Sequence, residues 1–169
     1  MDVLIERCAG LDVHRDTVVA TVRRPGPGGT RRSQTRTFTT MTNQLERLAD
    51  WLVSENVMLA GMESTGVYWK PVYYVLEERL PVWVINAEHL RNVPGHKTDV
   101  ADSMWIAQLI EHGLVSPSFV PPRHIRLLRD LTRHGRRLTE ERTRTIQRLE
   151  KVLQDAGIKL TSVASTCWC

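Results

Sequence analysis

The stretch R-C-A-G-L-D-V-H-R-D-T-V-V-A-T-V-R, residues 7 to 23, decides the fold of this chain. Two apolar, β-branched runs, 7 to 13 and 16 to 23, flank the polar pair His14 and Arg15, the pattern of a β-hairpin. The second run meets P-G-P-G-G at 25 to 29, a strong turn signal. A polar run around residues 34 to 39, with Thr and Phe, then reads as a third strand. Three sequential antiparallel strands follow, and Asp12 falls at the end of the first.

Beyond this meander the period changes. Thr42 is placed to cap a helix whose Leu45, Leu48, Ala49 and Leu52 share one face and which should end near Asn56. V-M-L-A-G-M, residues 57 to 62, reads as a buried strand stopping at Glu63, and Pro71 suits the first turn of a helix running to about Arg79. V-W-V-I-N, residues 82 to 86, makes a further strand. The loop P-G-H-K-T then leads into a helix carrying Asp99 and Asp102, with Met104, Ile106, Ala107, Leu109 and Ile110 compatible with packing on a sheet. The expected fold is α/β: a mixed sheet in the order β-β-β-α-β-α-β-α, with right-handed crossovers in the later units.

Pro121 and Pro122 punctuate the chain, dividing it into a first domain, 1 to 120, and a helical segment, 121 to 169. From Arg123 to about Ala156 there is no proline, and Leu131, Leu138, Thr145 and Val152 recur every seven residues beside Leu128 and Leu149. This predicts a long helix or helical hairpin with coiled-coil tendency, capped at Gly157, with Gly135 as the weakest point.

At 169 residues and 41% apolar composition, the chain can bury a core of about one domain. Its net charge of +4 conceals an asymmetry: residues 1 to 120 carry 12 Lys/Arg against 14 Asp/Glu, and residues 121 to 169 carry 11 against 5. Such a division is the footprint of nucleic-acid contact confined to one segment, or of a solvated charged helix. Arg126, Arg129, Arg133, Arg136, Arg137, Arg144 and Arg148 could track a phosphate backbone, while the leucines opposite them suit homo-oligomeric helix pairing. Three cysteines, Cys8, Cys167 and Cys169, show neither zinc spacing nor an even count. With no secretory signal and no apolar run long enough for a membrane, the expectation is a reduced, cytoplasmic setting without membrane contact.

The chemistry lies in four carboxylates. Asp12 and Glu63 end strands that this layout can make neighbours, and Asp99 and Asp102 share a helix face one turn apart, behind Lys97. Four such charges at one edge call for divalent cations, and hard oxygen donors select Mg²⁺ or Mn²⁺. Two ions roughly 4 Å apart would activate a nucleophile and stabilise a leaving oxygen in phosphodiester cleavage. Taken singly, each residue also has an ordinary reading. Asp12 could be a turn residue, Glu63 a surface carboxylate, and the aspartate pair a favourable helix start.

G-L-D-V-H-R at 10 to 15, M-E-S-T-G at 62 to 66 and H-K-T-D-V-A-D-S at 96 to 103 resemble the three signature blocks of the DEDD transposases of the bacterial insertion-sequence one-ten family. The resemblance covers residues 5 to 165, and its third block is the most specific. It implies an N-terminal RuvC-like, RNase H-type domain with Asp12, Glu63, Asp99 and Asp102 as ligands to Mg²⁺ or Mn²⁺. It also implies donor and target DNA, and a structured guide RNA bridging them. Lys97 and Thr98 match motif positions without an assigned role, and Ser103 replaces an alanine common in relatives, with little consequence expected.

Relatives continue into a domain bearing a serine nucleophile. The expectation is that this chain stops before it, that Ser162 and Ser165 are not that nucleophile, and that the chain alone is inactive or partial. The tail T-C-W-C, residues 166 to 169, reads as a frameshifted remnant or a chosen boundary: one restored G in its back-translation yields Asp followed by apolar residues. Two other functions fit the residues. One is a Holliday-junction resolvase using the same metals with water; the other is a noncatalytic nucleic-acid-binding or regulatory module. Sugar-kinase and actin-like ATPases fit poorly, since D-V-H-R offers no glycine-rich phosphate loop.

Overall fold

The computed structural model describes residues 2–64, 66–86 and 102–159. The chain divides into two compact units, residues 1–120 and 121–169.

In the first unit, the hairpin is β1 (Cys8–Val13) and β2 (Thr17–Pro25), closed where the His14 N–H donates to the Thr17 carbonyl at 2.9 Å. A short 3₁₀ turn, Pro27–Gly29, fills the Pro/Gly stretch, with Gly28 and Gly29 at positive φ as such a tight reversal requires. β3 (Arg31–Thr39) returns antiparallel to β2. After α1 (Thr42–Ser54), β4 (Leu59–Glu63) pairs parallel with β1. After α2 (Trp69–Leu76), β5 (Val82–Ile85) pairs parallel with β4. α3 (Asp102–Glu111) completes the described elements of this unit. The sheet order is β3-β2-β1-β4-β5, a mixed sheet in an α/β unit with the expected order of elements.

Alternation along the strands sorts side chains to two faces. Ala9, Leu11, Val18, Ala20, Val22, Ala60, Met62 and Val84 share a core with Leu45, Leu48, Trp51 and Leu52 of α1 and Val72 and Leu76 of α2. Each fully buried leucine there contributes about 1.5–3 kcal/mol relative to exposure. The Trp51 ring also underlies the Arg36 guanidinium at 4.7 Å and meets Phe38 at 5.8 Å, closing the end of that face. On the other face, Cys8, Leu59 and Ile85 pack against Ile106, Ala107, Leu109 and Ile110 of α3. Two helices on one face and one on the other place β1, the strand ending in Asp12, at the centre of three layers.

Two local expectations shift. Met41, with no side-chain capping bond, occupies the N-cap of α1, and Thr42 is its first helical residue. The second helix ends at Leu76 rather than near Arg79, because Glu77 to Leu80 form the closing turn, with Leu80 tucked into the core.

In the second unit, α4 (Arg123–Asp155) is one uninterrupted helix, which decides between helix and hairpin. Gly135 does not break it, since one interior glycine costs only about 1 kcal/mol relative to alanine. Gly157, at φ 77°, follows the C-cap Ala156, and the Ile158 N–H donates back to the Leu153 carbonyl at 2.8 Å.

Candidate active site

The β1–β4 register pairs Leu11 with Met62, so the next residues along each strand, Asp12 and Glu63, end side by side. By alternation both belong to the α3 face, since Leu11 and Met62 point into the opposite core. α3 reaches this edge because Gly10 has no side chain to hold it off. A Cβ there would overlap the Ser103 carbonyl and the Ala107 nitrogen. Asp102, exposed on the first turn of the described helix, therefore sits near Asp12.

The electrostatics agree with that placement. Burial pushes the Asp12 carboxyl above its ordinary value of 3.8, the negative charges of Asp102 and Glu63 push it further, and His14 opposes them. His14 Nε2 lies 3.0 Å from Asp12 Oδ2. The shift remains upward even with this partner, so the edge favours added positive charge. An oxygen-rich, electronegative donor set of this kind fits a hard divalent cation. Among the described residues, no group of three or more His, Cys, Asp or Glu side chains is gathered tightly enough to hold a metal. Asp99, Lys97 and Thr98 lie outside the described residues, as do Ser162, Ser165 and the T-C-W-C tail.

Three residues here were not assigned roles from sequence. His14 stands two positions after Asp12, the spacing that returns a side chain to the same face of an extended chain. Ser103 is fully buried, and its hydroxyl hydrogen-bonds Thr21 Oγ1 at 2.9 Å, which in turn bonds Thr35 Oγ1 at 2.8 Å. The serine-for-alanine difference thus adds a buried polar contact between helix and sheet. Glu111, also fully buried, receives Arg23 Nε and Nη2, each at 2.8 Å, and pairs with Arg31. No sequence signal marks Glu111, because its partners lie on strands distant in the chain.

On α4, at about 100° per residue, the seven arginines fall within an arc of about 120°. Arg129, Arg133, Arg136, Arg137, Arg144 and Arg148 are exposed, and Arg126 is half-buried with Nη1 donating to the Pro121 carbonyl at 2.9 Å. Arg136 also pairs with Glu140 at 3.0 Å. Leu128, Leu131, Leu138, Leu149 and Val152 occupy the opposite arc and are exposed. The helix thus separates cationic and apolar chemistry onto two faces, enough for a polyanion on one and another apolar surface on the other.

Comparison with known proteins bears on both units. A family model described as Transposase, that of the IS110-type DEDD transposases, matches residues 9–158. Its members' DEDD nuclease-like character suggests dependence on divalent metal. Among solved structures, Thermus thermophilus RuvC is similar at 12% identity and TM-score 0.48, covering 66% of this chain and 99% of that one. The Fowlpox virus resolvase, solved in complex with Holliday junction DNA, is similar at 12% identity and TM-score 0.44, covering 63% of this chain and 99% of that one. Comparison with curated proteins gives no match. No helix among the described residues is long and apolar enough to cross a membrane.

Proposed function

The chain belongs to the IS110-type DEDD transposase family, and from that membership we propose that its first unit carries the metal-dependent strand-cleavage site for DNA transposition. Asp12, Glu63 and Asp102, joined by Asp99, would hold Mg²⁺ or Mn²⁺. The observation that carries this reading is the β1–β4 register, which ends Asp12 and Glu63 side by side at the edge where Gly10 lets the start of α3, with Asp102, approach. When bound, two such ions supply a polarised nucleophile and a stabilised leaving oxygen at a phosphodiester. The chain's own part is to bring the carboxylates to one sheet edge and hold Asp12 against His14. This site acts on DNA strands in the cytoplasm.

The opposed faces of α4 support the rest of the proposal. The arginine arc would bind the phosphates of donor and target DNA and of a structured guide RNA, largely without sequence preference. The leucine arc would pair with a second copy of the chain, giving a homo-oligomer.

Cleavage and strand joining on branched and linear DNA, in Mg²⁺ or Mn²⁺, test the reading. Activity that requires metal and is lost in Asp12→Asn supports it; metal-independent activity untouched by that change sinks it. Cleavage of branched DNA by water alone, without strand joining, would instead favour a resolvase. Nucleic-acid binding unaffected by all four carboxylates but lost in Arg133→Ala with Arg137→Ala, with no cleavage, would favour a noncatalytic module.

A further inference from the structure

The helix that brings Asp102 to the carboxylate edge is gripped on its opposite flank. Near its start, the Ser103 hydroxyl engages Thr21 on β2, and the absent side chain of Gly10 lets the helix backbone approach β1. Toward its end, the fully buried Glu111 binds Arg23 on β2 and Arg31 on β3. Arg23 also lies along Met104, in the first turn of the described helix, with Nη1 3.5 Å from its sulfur. Arg23 is held by both nitrogens that face Glu111. Arg31 is held less completely, since its Nε is buried without a hydrogen-bond acceptor among the described residues.

Glu111 lies nine residues after Asp102, which at about 100° per residue puts the two on opposite flanks of the helix. The Glu111 flank faces β2 and β3. The Asp102 flank faces the β1–β4 side, where Asp12 and Glu63 end. Between them, Ile106, Ala107 and Ile110 supply apolar contact that is non-directional and tolerates rolling of the helix. A buried charge cluster does not tolerate it, because any roll strands a desolvated ion. A roll of about 20° would displace a side chain about 5 Å from the axis by about 2 Å. Metal–ligand distances hold only to about 0.2 Å.

We propose that Glu111 is a positioning residue for the carboxylate site: clasped by Arg23 and Arg31, it sets the roll of α3 and so the placement of Asp102 opposite Asp12 and Glu63. This rests on the reading of that edge as a metal site, and the test keeps the two separable. The full chain is titrated with Mn²⁺ well below its melting temperature, by calorimetry and by water-proton relaxation, with far-UV circular dichroism reporting the fold. Wild-type protein comes first: if it fails to bind Mn²⁺, the metal reading falls and this proposal falls with it.

With binding established, folded Glu111→Gln is expected to bind Mn²⁺ about tenfold more weakly, the scale of losing an outer support of a metal site. Asp50→Asn, which breaks the exposed pair with Arg79, serves as the control and should bind as wild type. Lowered thermal stability with wild-type Mn²⁺ affinity would show Glu111 to be structural only and overturn the proposal. Should Glu111→Gln not fold, Arg31→Lys, which keeps the charge but loses the planar fork, carries the same comparison. Weaker Mn²⁺ binding in that variant supports the proposal, and unchanged binding overturns it.

Discussion

Gly10 and Ser103 meet backbone to backbone, so that any side chain at position 10 would occupy the space of the Ser103 carbonyl. Gly10→Ala must therefore push α3 off β1 or distort the strand. The expected cost is at least the ~1–3 kcal/mol of a core insertion, because the obstacle is backbone and not a movable side-chain end. Urea unfolding measures it, and a loss below about 0.5 kcal/mol would contradict the contact.

Gly135 gives the opposite expectation. Nothing lies within 4 Å of a Cβ added there, and the residue sits within the continuous α4. Gly135→Ala should raise helix stability by about 1 kcal/mol. Thermal melts followed at 222 nm should show greater helix content at a given temperature, and no gain would mean that the helix is locally broken.

The raised Asp12 carboxyl has a signed consequence. Its proton is bound more tightly in the folded state, so the associated stabilisation is fully present below pH 3.8 and is lost as pH rises through the elevated folded value. At neutral pH without metal, Asp12→Asn should be more stable than wild type, within the ~0.5–2 kcal/mol typical of relieving a functional-site conflict. Saturating Mg²⁺ should narrow or reverse that difference by stabilising the wild type alone. Melting curves of both proteins across pH, with and without Mg²⁺, measure this.

Cys8 is buried and its Sγ donates to the Ala107 carbonyl at 3.3 Å, while burial, assisted by the Glu111 charge, pushes the thiol up to about 12. Iodoacetamide at pH 8 should leave it unmodified in native protein and modify it at the rate of unfolding in urea. Peptide mapping distinguishes it from Cys167 and Cys169, and rapid native labelling at Cys8 would show that α3 leaves the sheet readily.

If the arginine arc of α4 follows a phosphate backbone, Arg133→Ala with Arg137→Ala should weaken duplex DNA binding across sequences. It should also reduce the slope of log K against log salt by about 2. Anisotropy titrations at several salt concentrations provide the slope; an unchanged one would place the contact elsewhere.

Where local pattern governed, the sequence foretold the fold. The hairpin about His14 and Arg15 and the return strand after the Pro/Gly turn follow from alternation and turn chemistry, and the layout allowed the strands ending in Asp12 and Glu63 to be neighbours, as their parallel pairing makes them. The family motifs named the carboxylates, and strand register explains how two of them end side by side. What stayed hidden depends on partners far apart in the chain. Ser103 owes its role to Thr21, and Glu111 to Arg23 and Arg31, partners on strands distant in the chain that no local pattern marks. Gly135, the weakest point of the sequence pattern, does not break the helix because its 32 neighbours in the same helix hold it in place.

The contacts of α3 also bear on the order in which the chain can assemble. The β1–β2 reversal closes within a few residues, whereas Arg23 and Glu111 are separated by 88 positions and Cys8 and Ala107 by 99. Each doubling of a closed loop adds about 0.6 kcal/mol of entropic cost, so the meander can form early while α3 waits for a sheet already in place. A partly folded chain would then possess the strand bearing Asp12 long before it possessed the aspartate opposite. The proposed metal site would thus be among the last features of the first unit to assemble.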